Sequence, residues 1–347
     1  MAELVVTNFN RNFTGVSATA ANVVAIQKTR YDMVLAGAPL PGYPDPVSLR
    51  AARSATRTPP SGRPYAIWHV RRNTEMRAAL WARDVLRLPI RIVFTSAAQR
   101  RHSAFPRWLI SRMDAVIATT EEAAGFVPHV RAVVPHGVDT SRFAPAPDRA
   151  AAWAALGYGG KRGIATIGRV RHEKGTDIFV ETMLRALPDM PDVTALVIGR
   201  ATSEHRAFEE NLKARAAAAG LGERLRFIGE MPADTLPSLM PALSAVVQLP
   251  RYEGYGMVPL EAMASATPFV GSETGYFQAF SAQGQTGTVV PREHPEAAAA
   301  ALHAMLSDTD RHAVMARAAR EAAETHFSAK READGIGAVY DALWSDT

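Results

Sequence analysis

Four charged side chains have types and spacings that suit the binding of a phosphorylated sugar. Glu253 and Glu261 stand eight positions apart, and Arg169 and Lys174 stand five positions apart. A carboxylate can accept hydrogen bonds from two adjacent hydroxyl groups, so the acids suit a polyol. A guanidinium and an ammonium group together can neutralise a diphosphate, the arginine through a fork of N–H groups and the lysine as a point charge.

The two acids belong to the stretch Arg251–Ala264 (RYEGYGMVPLEAMA), which follows the apolar run Ala245–Leu249. The run predicts a buried strand, and Pro259 with the residues after it predicts a helix start. Glycine allows a ligand to approach the backbone closely, and free N–H groups at a helix start can bind anionic oxygens. The residues that contribute these features are Gly254, Tyr255, Gly256, Met257 and Val258. Glu261 alone could instead be a favourable charge near a helix N-terminus.

The two cations belong to Gly168–Asp177 (GRVRHEKGTD), which follows the predicted strand Ile164–Ile167. Gly168 directly precedes Arg169, and Lys174 comes just before a helix that Thr176 is predicted to cap. The stretch has neither the Gly-Lys-Ser/Thr order of a P-loop nor a dinucleotide-binding glycine pattern. It therefore predicts a diphosphate site at the mouth of a cleft, with a solvated loop as the alternative.

The N-terminal part of the chain starts with the same kind of unit. Glu3–Asn8 predicts a strand, Arg11–Ala18 (RNFTGVSA) a loop, and the residues to about Gln27 a helix. Gly15 lies in that loop, at the sheet edge where α/β proteins bind ligands. A single loop glycine more often serves only a turn.

A polar, basic cluster ends a later strand. Tyr65–Val70 (YAIWHV) predicts a buried strand, with His69 near its end and Arg71 and Arg72 directly after it. A lone histidine is more often structural, but two adjacent arginines favour a functional role at this position.

A basic segment with two aromatic residues follows at Gln99–Arg112. It holds Arg100 and Arg101 together with Phe105 and Trp108. Such a segment suits an anionic sugar or a membrane surface, and its alternative is a solvated helix face.

The net charge of +5 is unevenly distributed along the chain. Residues 1–145 carry 19 Lys and Arg against 9 Asp and Glu, which leaves 20 against 25 for residues 146–347. Fourteen arginines fall within residues 50–112, which indicates an anionic partner for the first half. A general arginine bias is the alternative, but the second half shares that bias without a positive balance.

The absence of cysteine excludes disulfides, thiolate nucleophiles and cysteine-bound metals. Neither a signal peptide nor an apolar run of about 20 residues is present, so we expect a soluble, cytoplasmic protein. Predicted strands and helices alternate in both halves, which predicts two α/β domains with parallel sheets. The prolines of Phe143–Arg149 predict a boundary. We expect domains at 1–145 and 163–328, a linker at 146–162 and a C-terminal helix at 329–347.

Several motifs together resemble one enzyme family. Gly168–Asp177, followed about 80 residues later by EGYGMVPLE, resembles the retaining glycosyltransferases of the Glu-x7-Glu type (glycosyltransferase family 4). The stretch Val133–Phe143 (VVPHGVDTSRF) is similar to the end of the first domain in that family. The resemblance implies a GT-B fold, in which two Rossmann-like domains face each other across a cleft and the C-terminal helix crosses back to the first domain.

The resemblance also implies roles for individual residues. Arg169 and Lys174 would bind the donor diphosphate, Glu253 the sugar hydroxyls and Glu261 the ribose. Gly15 would back the phosphates from the other domain, and His69 would face the sugar. The family commonly has a second glycine after Gly275, but Tyr276 stands there. Neither a metal nor a cofactor is expected, because the nucleotide sugar is a substrate.

Three further stretches resemble the bacterial mannosyltransferases of the lipopolysaccharide core: IWHVRRNTEM, FTSAAQRRHSAF and RWLISRMDAVIATT. That resemblance implies GDP-mannose as donor and the Kdo inner core of a lipid A precursor as acceptor. It also implies a peripheral location at the cytoplasmic face of the inner membrane. The acceptor is anionic, in agreement with the arginines, and Arg71, Arg72, Arg100 and Arg101 are its predicted contacts.

Three alternatives remain open at this point. One is a glycosyltransferase that uses UDP- or ADP-glucose on another acceptor. Another is a nucleic-acid-binding protein, which the basic half would suit, although an RNA-binding aromatic motif and zinc ligands are missing, so we expect no nucleic acid partner. The third is a phosphorylase of the same fold, which would need a pyridoxal cofactor.

Overall fold

The computed structural model describes residues 1–12 and 15–346. Phe13 and Thr14, in the predicted loop Arg11–Ala18, and Thr347 lie outside the described residues. The chain forms two compact units. The first contains Met1–Gly137 and the segment from Phe327 onward, and the second is Val138–His326.

Each unit is built on a six-stranded sheet in which all paired strands are parallel. Most of these strands are continuous apolar runs, as expected for strands that are covered on both faces. The first sheet contains β1 (Leu4–Asn8), β2 (Met33–Gly37), β3 (Ala66–Val70), β4 (Ile90–Ser96), β5 (Ala115–Ala118) and β6 (Val130–Val133). The second contains β7 (Arg162–Ile167), β8 (Val193–Ile198), β9 (Leu225–Gly229), β10 (Leu243–Gln248), β11 (Phe269–Ser272) and β12 (Gly287–Val290).

The strand order differs between the two sheets. The first has the order β2-β1-β3-β4-β5-β6, and the second has the order β12-β11-β10-β7-β8-β9. The second order is that of a Rossmann domain, because the chain starts at the centre, builds outward to β9 and then returns to build the other side. The structure therefore confirms the predicted α/β fold with two parallel sheets.

Helices connect the strands. They are α1 (Gly15–Gln27), α2 (Leu49–Ala55), α3 (Asn73–Leu80), α4 (Ala104–Ser111), α5 (Glu121–Ala124), α6 (Arg149–Ala155), α7 (Thr176–Ala186), α8 (Arg206–Ala218), α9 (Leu236–Leu239), α10 (Met257–Ala264), α11 (Phe277–Ser281), α12 (Pro295–Ser307), α13 (Thr309–Thr325) and α14 (Ala329–Ser345). A π-helical turn, Trp81–Val85, extends α3. Among the described residues, no helix is long and apolar enough to cross a membrane.

The C-terminal helix α14 belongs to the core of the first unit. It packs against α1, and its apolar residues lie in the same buried cluster as strands β1 and β3. Tyr340 is fully buried, and Trp344 donates a hydrogen bond from Nε1 to the carbonyl of Tyr65 at 3.0 Å. The core of the first unit therefore depends on residues from both ends of the chain.

The segment predicted as a linker, 146–162, has a different structure. It contains α6, whose N-terminus Asp148 caps, and Trp153 of this helix is buried in the second unit. The side chain of Trp153 occupies the space above Gly163, where a Cβ atom would lie 2.1 Å from the ring. The apolar face of α6 needs a partner, so this segment is part of the second unit rather than a spacer.

Candidate active site

The second sheet has one position where the strand order reverses, between β7 and β10. The loops after these two strands therefore leave the sheet in different directions, and open α/β sheets bind ligands in the crevice between such loops. The loop after β7 contains Gly168, Arg169 and Lys174, and the loop after β10 contains Glu253. The sequence prediction and the sheet topology thus indicate the same place.

Lys174 and Glu253 are in direct contact there. The Nζ atom of Lys174 lies 2.6 Å from Oε2 of Glu253, and both side chains are about one quarter exposed, at 27% and 22%. The other oxygen, Oε1, accepts a hydrogen bond from the backbone N–H of Gly254 at 2.8 Å. The carboxylate is thus held in one orientation while a cation and an anion stay accessible at the crevice.

The two loops are joined at further points. Arg251 forms a two-pronged ion pair with Asp177 at 2.8 Å for each bond, and its N–H donates to the carbonyl of Glu173 at 3.0 Å. Gly175 adopts a left-handed conformation with φ of 67°, and a Cβ atom there would lie 1.8 Å from the Leu249 carbonyl oxygen. This close approach requires glycine and sets the position of Lys174 beside Glu253.

The glycine-containing turn leads directly into α10. This helix begins at Met257, so Pro259 is its third residue rather than its first. Gly256 precedes the helix with φ of 102°, and in the described part of the chain no side chain caps the helix start, where the N–H groups of Met257 and Val258 lie. Because the first N–H groups of a helix have no partners within it, they are suited to anionic oxygens.

Tyr276, which stands where the family that the sequence resembles commonly has glycine, supports this turn. Its ring stacks on that of Tyr255 with 5.2 Å between centroids, and its N–H donates to the carbonyl of Tyr255 at 2.9 Å. Tyr255 itself is only 5% exposed. The stacked rings of Tyr255 and Tyr276 therefore hold the backbone of this turn in place.

Glu261 lies on α10, one turn beyond Met257, and is partly exposed. Burial raises the pKa of this carboxyl group to about 7, although the positive charge of Arg142 opposes the effect. Within residues 1–12 and 15–346 its side chain has no hydrogen bond or ion pair. A carboxyl group that titrates near neutral pH beside a crevice is a candidate for ligand binding.

Arg169 is exposed and lies at a neighbouring pocket of about 170 Å³. The pocket is lined by the loops after β7, β8 and β9. Sequence reasoning missed its residues Gly199, Arg200, Thr202, Glu230 and Met231. Gly199 alone carried a signal, since it is a glycine directly after an apolar strand, and its Cβ would lie 1.8 Å from the Gly168 carbonyl oxygen.

In the first unit, the strand order reverses between β1 and β3. Gly15 begins the helix after β1, and a Cβ atom there would meet none of the described residues within 4 Å, so their packing does not require glycine at this position. Arg71 follows β3 and is partly buried. Its Nη1 atom is enclosed and has no partner among the residues that the structure describes. Both residues thus lie where this sheet would bind a ligand, and one has unused hydrogen-bonding capacity.

Arg72, a predicted acceptor contact, belongs to an internal network. Its guanidinium donates to Asn8 Oδ1 at 3.1 Å, to Ser17 Oγ at 3.1 Å and to Glu75 Oε1 at 3.0 Å. Glu75 is fully buried and also accepts from the backbone N–H of Arg71 at 2.8 Å. A buried carboxylate needs such partners, so Arg72 positions Arg71 and the end of β1.

The prediction that His69 faces a sugar is wrong for this structure. The residue is fully buried, Nε2 contacts Thr95 Oγ1 at 2.7 Å, and Nδ1 contacts the Tyr340 hydroxyl. Burial, with the nearby Arg71 charge, holds the pKa of His69 well below its usual value. A strand buried on both faces hides its side chains from ligands, and only residues after its end are accessible.

Arg100 and Arg101 are exposed in the loop between β4 and α4. Both side chains are therefore accessible to solvent, and their contact with an acceptor stays a prediction. Among the described residues, no group of three or more His, Cys, Asp or Glu could hold a metal ion.

Comparison with known proteins gives concordant matches. The family described as "Glycosyl transferases group 1" matches residues 153–322, which include the whole candidate site of the second unit. The chain is 40% identical to the lipopolysaccharide core biosynthesis mannosyltransferase LpsB of Rhizobium meliloti, over 98% of this chain and 97% of that protein. It is 39% identical to LpcC of Rhizobium leguminosarum bv. viciae, another lipopolysaccharide core biosynthesis mannosyltransferase, over 99% and 97%.

A solved structure shares the fold. The crystal structure of Anabaena HepE in complex with UDP superposes with a TM-score of 0.82, covering 98% of this chain and 100% of that chain, at 17% sequence identity. At this identity the likeness concerns the fold alone, which is that of the GT-B glycosyltransferases.

Proposed function

Because the chain belongs to the group 1 glycosyl transferases, we propose that it transfers mannose from GDP-mannose to the Kdo inner core of a lipopolysaccharide precursor. The observation that carries the transferase activity is the Lys174–Glu253 pair at the reversal point of the second sheet. The names of the two relatives support lipopolysaccharide core synthesis and mannose. The anionic acceptor is supported by the arginines of the first unit.

The proposed donor site uses the second unit. Arg169 and Lys174 bind the diphosphate together with the N–H groups at the start of α10. Glu253 accepts hydrogen bonds from the sugar hydroxyls, and Glu261 from the ribose hydroxyls. The pocket between the loops after β8 and β9 then receives the base. When the diphosphate binds, Lys174 exchanges its contact with Glu253 for a phosphate, which frees a carboxylate oxygen for the sugar.

The proposed reaction retains the configuration of the anomeric carbon. The bond from that carbon to the leaving phosphate oxygen breaks, and a bond to the acceptor hydroxyl oxygen forms on the same face. The hydroxyl proton passes to the leaving phosphate, so no protein side chain acts as base. Negative charge grows on the diphosphate during this step, and Arg169 and Lys174 stabilise it in place of a metal. We expect unchanged turnover in a chelator such as EDTA.

The proposed acceptor site lies in the first unit. Arg71 is the best-supported contact, because one guanidinium nitrogen is enclosed and without a partner among the described residues. Arg100 and Arg101 provide exposed positive charge. We propose that the enzyme works at the cytoplasmic surface of the inner membrane, where such a glycolipid would be presented.

Thermal-shift measurements with GDP, UDP and ADP test the donor assignment, because a ligand that binds only the folded protein stabilises it by mass action. We expect GDP and GDP-mannose to raise the melting temperature most. A larger shift with UDP or ADP would assign that nucleotide, rather than GDP, to the donor. A shift with none of the three, together with no transfer from labelled GDP-mannose to Kdo-lipid A, would remove the proposed function.

A further inference from the structure

One face of the first unit presents large apolar side chains to solvent. Trp81, Val85, Phe105 and Trp108 are 43%, 62%, 54% and 56% exposed, and all four line one groove of about 690 Å³. We call these four residues the aromatic face. Single exposed apolar residues are ordinary, but a contiguous group of this size marks an interaction surface.

Local structure explains why these side chains are exposed. Phe105 and Trp108 stand three positions apart on α4, so they lie on one side of the helix, and their rings stack with centroids 6.2 Å apart. Ile110, on the opposite side, is buried, and so is Leu109, which lies at the base of the same groove. Helix α4 therefore packs one side against the core of the first unit and leaves the two aromatic rings exposed to solvent.

The second half of the face comes from the π-helical turn Trp81–Val85, where the N–H of Leu86 donates to the carbonyl of Trp81 at 3.1 Å. A wider turn shifts the side chains that follow it relative to an α-helix, and such turns often occur at functional sites. It places Trp81 and Val85 at the same groove as the α4 residues.

The charge around the groove is positive. The guanidinium carbon of Arg53 lies 4.2 Å above the ring of Trp81, and Arg77 also lines the groove. The acid at this place, Asp84, is neutralised by Arg83 at 2.8 Å and by Arg112 at 3.4 Å. In the described part of the chain neither Arg53 nor Arg77 has an ion pair, so their charges are available to an anionic partner.

We propose that the aromatic face, with Arg53 and Arg77, docks this protein on an anionic lipid bilayer. Tryptophan and phenylalanine insert at the boundary between head groups and acyl chains, while arginine contacts lipid phosphates and keeps its aliphatic part on the apolar surface. The combination of exposed aromatic rings with positive charge fits a bilayer better than an apolar peptide. The inference rests on the proposed function only in placing the protein at a membrane.

Vesicle sedimentation without any nucleotide sugar tests the inference independently of catalysis. The probes are vesicles of phosphatidylcholine alone and of phosphatidylcholine with 30% phosphatidylglycerol, a composition chosen for the assay. We expect binding to the anionic vesicles and at least tenfold weaker binding for the double variant Phe105→Ser with Trp108→Ser. Arg77→Ala should weaken binding about fivefold, as expected for one cation near an anionic surface.

Matched controls come from the second unit. Val314 is 57% exposed and Arg317 is exposed on the same helix, so Val314→Ser and Arg317→Ala make similar chemical changes elsewhere. These variants should bind vesicles like the parent protein. Circular dichroism confirms that each variant folds. A tryptophan emission shift on vesicle binding should disappear in the double variant Trp81→Phe with Trp108→Phe, because the other three tryptophans, Trp68, Trp153 and Trp344, are buried.

Two results would overturn the inference. One is that the parent protein fails to bind the anionic vesicles. The other is that it binds them as well after the aromatic face is changed. If the parent protein dimerised through this face in sedimentation velocity and ignored vesicles, the face would be a protein interface instead. Loss of sugar transfer with normal vesicle binding would affect only the proposed function.

Discussion

Lys174 and Glu253 neutralise each other across the reversal point of the second sheet, at 2.6 Å. This contact keeps a cation in the crevice without leaving an unpaired charge in a partly buried place. Under the proposed function, each residue exchanges its partner when a nucleotide sugar binds. The two side chains therefore act as one unit, and the loss of either affects both.

Substitution of the cations tests this directly. Lys174→Ala and Arg169→Ala should each lower kcat by about 10²- to 10³-fold, the usual effect of removing one group that stabilises a developing anion. The melting temperature should change little, since both side chains lie at the surface of the crevice. Lys213→Ala, on the exposed side of α8, is the control and should leave kcat unchanged. A nearly normal rate for Lys174→Ala would remove the phosphate assignment.

Glu261 predicts a pH dependence of nucleotide binding. Burial raises its pKa to about 7, and ribose hydroxyl groups bind best to the ionised carboxylate. Affinity for the nucleotide should therefore rise as the pH increases through about 7 and level off above it. Isothermal titration calorimetry between pH 6 and 8.5 measures this, with a flat profile expected for Glu261→Gln. An identical slope in that variant would assign the titration to another group.

The same carboxyl group affects stability with the opposite trend. The folded protein holds its proton more tightly than the unfolded chain, whose value is near 4.5. The contribution of Glu261 to the free energy of unfolding therefore falls as the pH rises from about 4.5 to about 7. His69 has the opposite effect on the free energy of unfolding. Because burial lowers the pKa of His69, the unfolded chain takes up the proton first as the pH falls below 6.5, so the contribution of His69 to stability falls with the pH.

At the scale of elements, the candidate site depends on two loops that are fastened to each other. Arg251 bridges to Asp177, and the left-handed Gly175 lets the backbone pass directly beside the Leu249 carbonyl. The helix that follows each loop then starts at a defined place. This arrangement positions Lys174 and Glu253 before any ligand arrives, which lowers the cost of ordering them on binding.

Two glycines with nearly the same φ provide a matched test. Gly175 and Gly220 have φ of 67° and 70°, but an added Cβ would lie 1.8 Å from a backbone oxygen at Gly175 and would meet nothing within 4 Å at Gly220. Gly220→Ala should cost about 1 kcal/mol, for the left-handed conformation alone. Gly175→Ala should lower the free energy of unfolding by at least about 3 kcal/mol and should also lower kcat, because the backbone at Leu249 must move to make room for the added Cβ atom. Urea unfolding measures both, and equal costs would contradict the described loop contact.

For the molecule as a whole, both ends of the chain contribute to the first unit. Helix α14 adds Ile336, Tyr340 and Trp344 to the buried cluster of that unit. Glu332 also binds the connecting backbone, since Oε2 accepts from the Gly137 N–H at 2.7 Å and Oε1 contacts His136 at 2.8 Å. The final helix is therefore a structural part of a unit whose other residues, Met1–Gly137, come much earlier in the chain.

Removal of this helix should separate the stabilities of the two units. A chain that ends at His326 should lose the cooperative unfolding transition of the first unit and keep that of the second. Differential scanning calorimetry and limited proteolysis measure this, with a chain that ends at Ser345 as the control. Two preserved transitions after the truncation at His326 would show that α14 contributes little to the first core.

The sequence by itself determined which segments form strands, the succession of these strands along the chain and the position of the charged motifs. Strands covered on both faces are continuous apolar runs, and ligand loops follow them, so local pattern was sufficient to predict both sheets and the loops of Arg169, Lys174 and Glu253. The linker prediction failed because α6 has only seven residues, most of them alanine, and its sequence shows no strong helical period.

Tertiary structure alone decided which of these side chains meet. Lys174 contacts Glu253 across 79 positions, and His69 contacts Tyr340 across 271 positions. No local period records such distant contacts, because they depend on how strands are ordered within each sheet and on which helix covers it. For that reason the sequence could place His69 near the end of a strand, and only the packing of α14 on that strand showed that the ring is buried.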